Sequence, residues 1–142
     1  MTVDVNVLVY ASNSADPAHA SAHALLERLG GGPDLVYLFW PVLLGYVRIV
    51  THPAILPTPL PVAAAISNVS SLLSQRHVRA PGEAEGFWDL FRGIADAQTR
   101  GNAVPDTHLA ALMRQHGVTT IYTRDRDFRR FDGIRALDPF VA

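Results

Sequence analysis

The chain opens M-T-V-D-V-N-V-L-V-Y, a nearly unbroken apolar, β-branched run with one acid, Asp4, inside it. Such a run suits a strand covered on both faces, as in a parallel sheet. Parallel strands need crossover connections, usually helices, so the stretch favours a chain in which strands and helices alternate. An ionised carboxylate inside the run costs on the order of several kcal/mol unless it is paired or bound to a cation. Two readings of Asp4 fit. It caps the helix that follows, Asp being a favoured N-cap, or it ends the strand and points into a metal site.

Composition narrows the class. For 142 residues one domain spanning 1–142 is expected. An apolar fraction of 49% supports a real core and argues against disorder. No apolar run has the length of a membrane span, and no basic region followed by an apolar core opens the chain. Cysteine is absent, which removes disulfide frameworks and thiolate metal sites. A cytoplasmic protein without membrane partners is the expectation. The net charge of −1 neither supports nor excludes nucleic acid. All 12 basic residues are arginine, and Arg124, Arg126, Arg129, Arg130 and Arg135 crowd one short segment. Arginine forks match phosphate oxygens. Asp125, Asp127 and Asp132 share that segment, so an internally balanced, solvated face fits it as well.

Along the chain, Val5–Ala11 reads as a short helix with Asn6 in its first turn. Asp16-Pro17 reads as N-cap and first position of a second helix, which ends at Gly30. Leu35–Phe39 is a continuous apolar run, expected as a buried strand. Trp40-Pro41 opens a helix with Val42, Leu43, Tyr46, Val47 and Val50 inward, closed by His52-Pro53. Val62–Gln75 is expected to be helical, with Val62, Ile66, Val69, Leu72 and Leu73 as its stripe. His77–Arg79 is a short strand, Glu83–Arg100 a helix, and another helix starts near Asp106 after Pro105. Gly117 follows that helix as its C′ residue. Val118–Thr123 is the last clear strand, and Ile134–Leu137 adds a small edge strand. This alternation predicts right-handed βαβ units and a three-layer α/β/α sandwich around a mainly parallel sheet.

Three acids then occupy equivalent places. Asp4 ends the first strand, Asp106 starts a helix, and Asp125 follows the last clear strand. Ligands in open α/β sheets sit beyond the carboxyl ends of strands, near a topological switch point. Converging carboxylates repel unless a cation lies between them. Hard oxygen ligands without cysteine suit Mg²⁺ or Mn²⁺. The chemistry such a site predicts is metal-assisted hydrolysis of a phosphate ester or phosphodiester.

The words around these acids carry more than their spacing. V-D-V-N-V-L-V-Y-A, N-A-V-P-D-T-H-L-A-A-L-M and Y-T-R-D-R-D-F-R-R-F-D-G resemble the PIN-domain ribonucleases, and within them the VapC toxins of bacterial toxin–antitoxin pairs. W-P-V-L-L-G-Y-V-R-I-V-T-H-P resembles a mycobacterial subgroup of these toxins. The likeness covers nearly the whole chain in order. It implies that Asp4 and Asp106 are the main metal ligands, that Asp125 supports the ion directly or through water, and that the ion is Mg²⁺ with Mn²⁺ as substitute. It further implies a structured RNA substrate, tRNA or ribosomal RNA, cut at a loop, a homodimer, and a cognate VapB antitoxin that lays a segment across the site. Asn6, Thr123 and Asn102 are candidates for orienting the acids. Asp127 is either a supporting acid or the N-cap of the turn holding Phe128 and Phe131. Arg48, Arg124, Arg126 and Arg130 are candidates for the RNA backbone.

One departure stands out. The family usually carries a further acid, commonly Glu, on the helix after the second strand, and Trp40–Pro53 contains none. Leu44, Gly45 and Arg48 occupy the relevant positions. A second reading follows: a PIN-fold module that binds RNA or its antitoxin and cuts poorly. A phospho-acceptor receiver domain also places acids at strand ends, but it uses a lysine that this chain lacks. His19 and His23 have a zinc-compatible spacing without an accompanying acid pattern, so a surface or partner-facing role is expected for them. Trp88, with Phe87 and Phe91, is expected in the core or at a dimer surface.

Overall fold

The computed structural model describes residues 1–140, and the last two positions of the expected 1–142 domain lie outside the described residues. Five short strands form one sheet: β1 (Thr2–Val3), β2 (Val36–Tyr37), β3 (Val78–Arg79), β4 (Thr120–Tyr122) and β5 (Arg135–Leu137). Six α-helices flank it: α1 (Val5–Ser12), α2 (His19–Gly30), α3 (Trp40–Val50), α4 (Val62–Leu73), α5 (Phe87–Ile94) and α6 (Ala103–Gln115). The strand order is β3-β2-β1-β4-β5, and every pairing is parallel. The α/β/α sandwich expected from the alternation is therefore the fold, with the sheet wholly rather than mainly parallel.

That order fixes where a ligand can lie. From β1 the chain steps outward to β2 and β3, then returns to the other side of β1 for β4 and β5. The direction of winding reverses between β1 and β4, which makes their carboxyl ends the switch-point crevice. In the register, Thr2 pairs with Ile121 and Val3 with Tyr122. The next residues on the two strands, Asp4 and Thr123, consequently emerge side by side.

The core follows from the same alternation. Val3, Val7, Leu25, Phe39, Leu43, Tyr46, Met113, Ile121 and Phe128 are all essentially inaccessible to solvent. Each fully buried aliphatic or aromatic side chain contributes about 1.5–3 kcal/mol relative to exposure. All of the expected inward residues of α3 except the half-buried Val47 are buried.

Several local expectations need correction. The second helix starts at His19, because the Asp16 carboxylate accepts the Ala18 N–H at 2.8 Å and holds a separate turn ahead of it. The strand expected over Leu35–Phe39 is confined to Val36–Tyr37, since Phe39, buried in the core, already serves as the N-cap of α3 and Leu35 is exposed. Helix α4 buries Ala65 and leaves Val62 and Ile66 exposed, so its inner stripe is Ala65, Val69, Leu72 and Leu73. The helix expected over Glu83–Arg100 is only Phe87–Ile94. Gly86 at φ +83° lies in the left-handed region and blocks extension backwards, and Ala95 is extended. Asp96, expected mid-helix, instead accepts the Gln98 N–H at 2.8 Å in a turn. Trp88 is 69% exposed, which removes it from the core.

Candidate metal centre at the carboxyl ends of the strands

Asp4 follows Val3 at the end of β1 and is the N-cap of α1, with φ −78° and ψ 160°. Its Oδ1 accepts the Val5 N–H at 2.7 Å. Its Oδ2 accepts the Thr123 hydroxyl at 2.8 Å. The capping reading is therefore correct as geometry. It does not exhaust the side chain, because each carboxylate oxygen keeps further lone pairs. Burial pushes the Asp4 carboxyl up from its ordinary range, the hydrogen bonds from Thr123 and Val5 pull it down, and the charge of Asp125 pushes it up again.

Asp106 stands in the first turn of α6. The helix begins at Ala103, three residues before the expected start, because Pro105 is tolerated in a first turn where N–H groups lack intrahelical partners. Burial raises the Asp106 carboxyl to about 6. The charges of Asp125, Asp4 and Asp127 reinforce the rise, and Arg130 opposes it.

Asp125 follows β4 and is the N-cap of a short 3₁₀ turn, Arg126–Arg130, where its Oδ1 accepts the Asp127 N–H at 2.8 Å. The turn is thus capped by Asp125 and not by Asp127. In a 3₁₀ turn residues three apart eclipse one another. Arg126 pairs with Arg129 in this sense, Asp127 with Arg130, and Phe128 with Phe131. Phe128 and Phe131 are buried and anchor the turn. Asp127 and Arg130 face the acids: Asp127 has a carboxylate oxygen within 4.8 Å of those of Asp106 and Asp125, and Arg130 lowers the Asp106 carboxyl. Arg126 and Arg129 line a separate cleft beside Asp125.

The structure therefore brings together Asp106, Asp125 and Asp127, with Asp4 adjoining them electrostatically and through Thr123, outside the 4.8 Å set. Thr123 is the hinge of the arrangement, since its hydroxyl also accepts the Asp125 N–H at 2.9 Å. Asn6 lies half-buried in α1, and among the described residues its side chain makes no hydrogen bond. Asn102 is exposed and makes no side-chain cap. Arg48 is exposed on α3. Arg124 lies 4.8 Å from the Phe140 ring centroid and 5.5 Å from that of Tyr10, a stack that fixes its guanidinium. Arg130 lies 4.7 Å over the Phe131 ring. The signal that distinguishes Asp127 is the 3₁₀ spacing of D-R-D-F-R-R-F, which is visible in the sequence only once that turn type is known.

Charge, not size, locates the centre. A cleft of about 1030 Å³ between α1, α2 and α4 contains none of these acids. Among the described residues no arginine forms an ion pair with any of the four aspartates. Three converging carboxylates with that of Asp4 adjoining them, none in an ion pair among the described residues, make a donor set that suits a hard divalent ion. On α3, Gly45 stands against the first turn of α1, where an added Cβ would lie 3.5 Å from Val5 Cγ2. The helix offers no acid there.

Comparison with known proteins places the chain in a family. A family model described as the PIN domain matches residues 1–134. Ribonuclease VapC48 of Mycobacterium tuberculosis is 55% identical over 140 residues, covering 98% of this chain and 97% of that protein. Ribonuclease VapC37 of the same species is 36% identical, covering 96% and 95%. Among solved structures, the sarcin-ricin loop cleaving toxin VapC20 of M. tuberculosis matches with a TM-score of 0.66 at 22% identity, covering 94% of this chain and 98% of that one. VapBC2 of Rickettsia felis, solved with a DNA fragment from its promoter, matches with a TM-score of 0.67 at 16% identity and 96% coverage of both chains. At these identities the two structures speak for the fold.

Proposed function

The chain belongs to the PIN-domain family and is a VapC-type ribonuclease, and from that premise we propose that it is the Mg²⁺-dependent toxin of a toxin–antitoxin pair, with Mn²⁺ able to substitute. Its substrate in this reading is a structured RNA, tRNA or ribosomal RNA, cut at a single-stranded loop, where base edges are accessible. The protein acts in the cytoplasm as a single 1–142 domain, forms a homodimer, and is inhibited by a VapB-type antitoxin.

The observation that carries the reading is the convergence of Asp106, Asp125 and Asp127, with Asp4 behind Thr123, at the switch point of a parallel sheet. Asp4 and Asp106 are the principal ligands in this proposal, Asp125 assists, and Asp127 joins them. An ion held there supplies Lewis acidity toward a phosphoryl oxygen and lowers the pKa of a water. The protein's own part is positional. Thr123 keeps the Asp4 carboxylate aimed and ties it to the Asp125 backbone. The positive end of α6 favours charge on Asp106. Arg130 offsets part of the remaining negative charge, and Arg48, Arg124 and Arg126 are assigned to the RNA backbone.

The missing acid on α3 favours one rival, a PIN module that binds RNA or its antitoxin and cuts weakly. Cleavage of total RNA with added Mg²⁺ or Mn²⁺, wild type against Asp4→Asn, separates the two. Metal-dependent cleavage lost in the variant supports the ribonuclease reading, and equal activity in both removes it. Sequencing RNA 5′ ends after expression then identifies the target.

A further inference from the structure

Beside the acids lies a second, differently charged space. A cleft of about 380 Å³ is bounded by Thr123 and Asp125 on the side of the centre, by Arg126 and Arg129 on the 3₁₀ turn, and by Asp138 after β5. Its volume falls within the range of roughly 300–1,000 Å³ usual for small-ligand sites. Asp125 belongs to both spaces, so the cleft adjoins the acidic centre.

The cleft is built rather than incidental. Arg126 and Arg129 are three apart on a 3₁₀ turn, so they project together. The turn cannot easily rotate, because Phe128 is buried below it and Asp125 caps it. Both arginines are exposed, and among the described residues neither forms an ion pair. Two guanidinium groups on one turn, neither held in an ion pair among the described residues, match an anion with several oxygens, of which a phosphate is the type. Asp138, after β5, lines the same cleft. One of its oxygens accepts the Phe140 N–H at 2.8 Å, and the other has no hydrogen-bond partner among the described residues.

We propose that this cleft is a nucleotide subsite next to the cut phosphate, in which Arg126 and Arg129 hold the neighbouring phosphate and the free oxygen of Asp138 accepts an N–H from the base lying in it. The proposal rests on the ribonuclease reading and deepens it, adding Arg129 and Asp138 as positioning and specificity residues. The mixed charge of the lining explains why a nucleotide fits better than a bare anion: a phosphate alone would share the cleft with the like charge of Asp138.

The test measures binding of a short, fully 2′-O-methylated single-stranded RNA of randomised sequence by anisotropy, in Mg²⁺, across a salt series. Because both arginines are exposed, Arg126→Ala/Arg129→Ala is expected to keep the wild-type melting curve and Mn²⁺ affinity. Its RNA affinity is expected to fall about tenfold or more, and its log–log salt slope to become shallower by roughly one. Arg92→Ala, in an exposed pair on α5, is expected to bind RNA as the wild type does. Asp138→Asn keeps an acceptor for the Phe140 N–H and replaces the free oxygen with a donor. It is expected to change the base found beside the cut in sequenced 5′ ends, with total binding within about threefold of wild type. RNA affinity and salt slope unchanged in the double arginine variant overturn the phosphate assignment. An unchanged cleavage pattern in Asp138→Asn overturns the base assignment. If the wild type binds the methylated RNA through the arginines yet cleaves nothing, the ribonuclease reading fails and the cleft survives. If it cleaves and the arginine variant binds normally, the reverse holds.

Discussion

The Thr123 hydroxyl donates to Asp4 Oδ2 at 2.8 Å, joining two residues 119 positions apart in a buried contact. The contact is a consequence of register, since the pairs Thr2–Ile121 and Val3–Tyr122 leave Asp4 and Thr123 as the next neighbours. Because the same hydroxyl accepts the Asp125 N–H, one oxygen sets the positions of two acids.

Replacing it is therefore expected to be costly twice. Thr123→Val is nearly isosteric but leaves the Asp125 N–H without its acceptor and Asp4 without its donor. A loss of about 1–3 kcal/mol in stability is expected from urea unfolding. Divalent-ion affinity is expected to fall about 10–100-fold, the usual effect of removing a group that orients a metal ligand. Thr123→Ser, which keeps the hydroxyl, is expected to retain most of the affinity.

The acids also predict a pH dependence with a definite sign. Asp106 titrates near 6 in the folded chain, against an ordinary aspartate value of 3.8. Between those values the folded chain binds more protons than the unfolded one, so the stability this group contributes is full below 3.8 and is lost as pH rises through about 6. Asp4, shifted the same way, adds to the trend, while Glu83, held low by its hydrogen bond from His108, opposes it. Metal-free Asp106→Asn is thus expected to lose less stability than the wild type between about pH 5 and pH 7 in urea titrations. Mg²⁺ is expected to stabilise the wild type at the upper pH and much less at the lower, where the proton competes with the ion.

Phe128 couples the core to both faces of the 3₁₀ turn. It is fully buried, and its neighbours Asp127 and Arg129 face the two spaces. Phe128→Ala is expected to cost about 3–5 kcal/mol, measured by thermal or urea unfolding. Metal and RNA affinity are expected to fall together in the folded fraction, because the turn loses its anchor.

Gly45 on α3 is open to substitution, since its added Cβ would make an ordinary contact at 3.5 Å. Gly45→Ala is expected to stabilise the protein by about 0.5–1 kcal/mol through helix propensity and chain entropy. Gly45→Glu places a carboxyl near the first turn of α1 and is expected to raise Mn²⁺ affinity in calorimetry. Unchanged affinity would mean that the four aspartates suffice.

Much of this was legible in the sequence, and the reasons differ by residue. The apolar runs around Asp4 and before Arg124 announced parallel strands, and an acid at the end of each pointed to one crevice. The Asp106 helix was legible from Pro105 and the apolar spacing of Leu109, Ala110, Leu112 and Met113. The composition of Glu83–Gly86 and Asp96–Arg100 predicts a longer helix than α5, while Gly86 and the Asp96 turn override it locally. The roles of Asp127 and Arg129 are hidden in the sequence because their directions depend on a 3₁₀ period of three, and the segment is too short for periodicity to reveal it. Val62 and Ile66 misled because an apolar residue on a helix looks the same inside and outside the core.

Calorimetric titration of Mn²⁺ into wild type and Asp106→Asn at neutral pH tests the central claim most directly. The account predicts a saturable site in the wild type and at least a tenfold loss of affinity in the variant, with the fold intact. Equal binding in the two proteins, or none in the wild type, would contradict it.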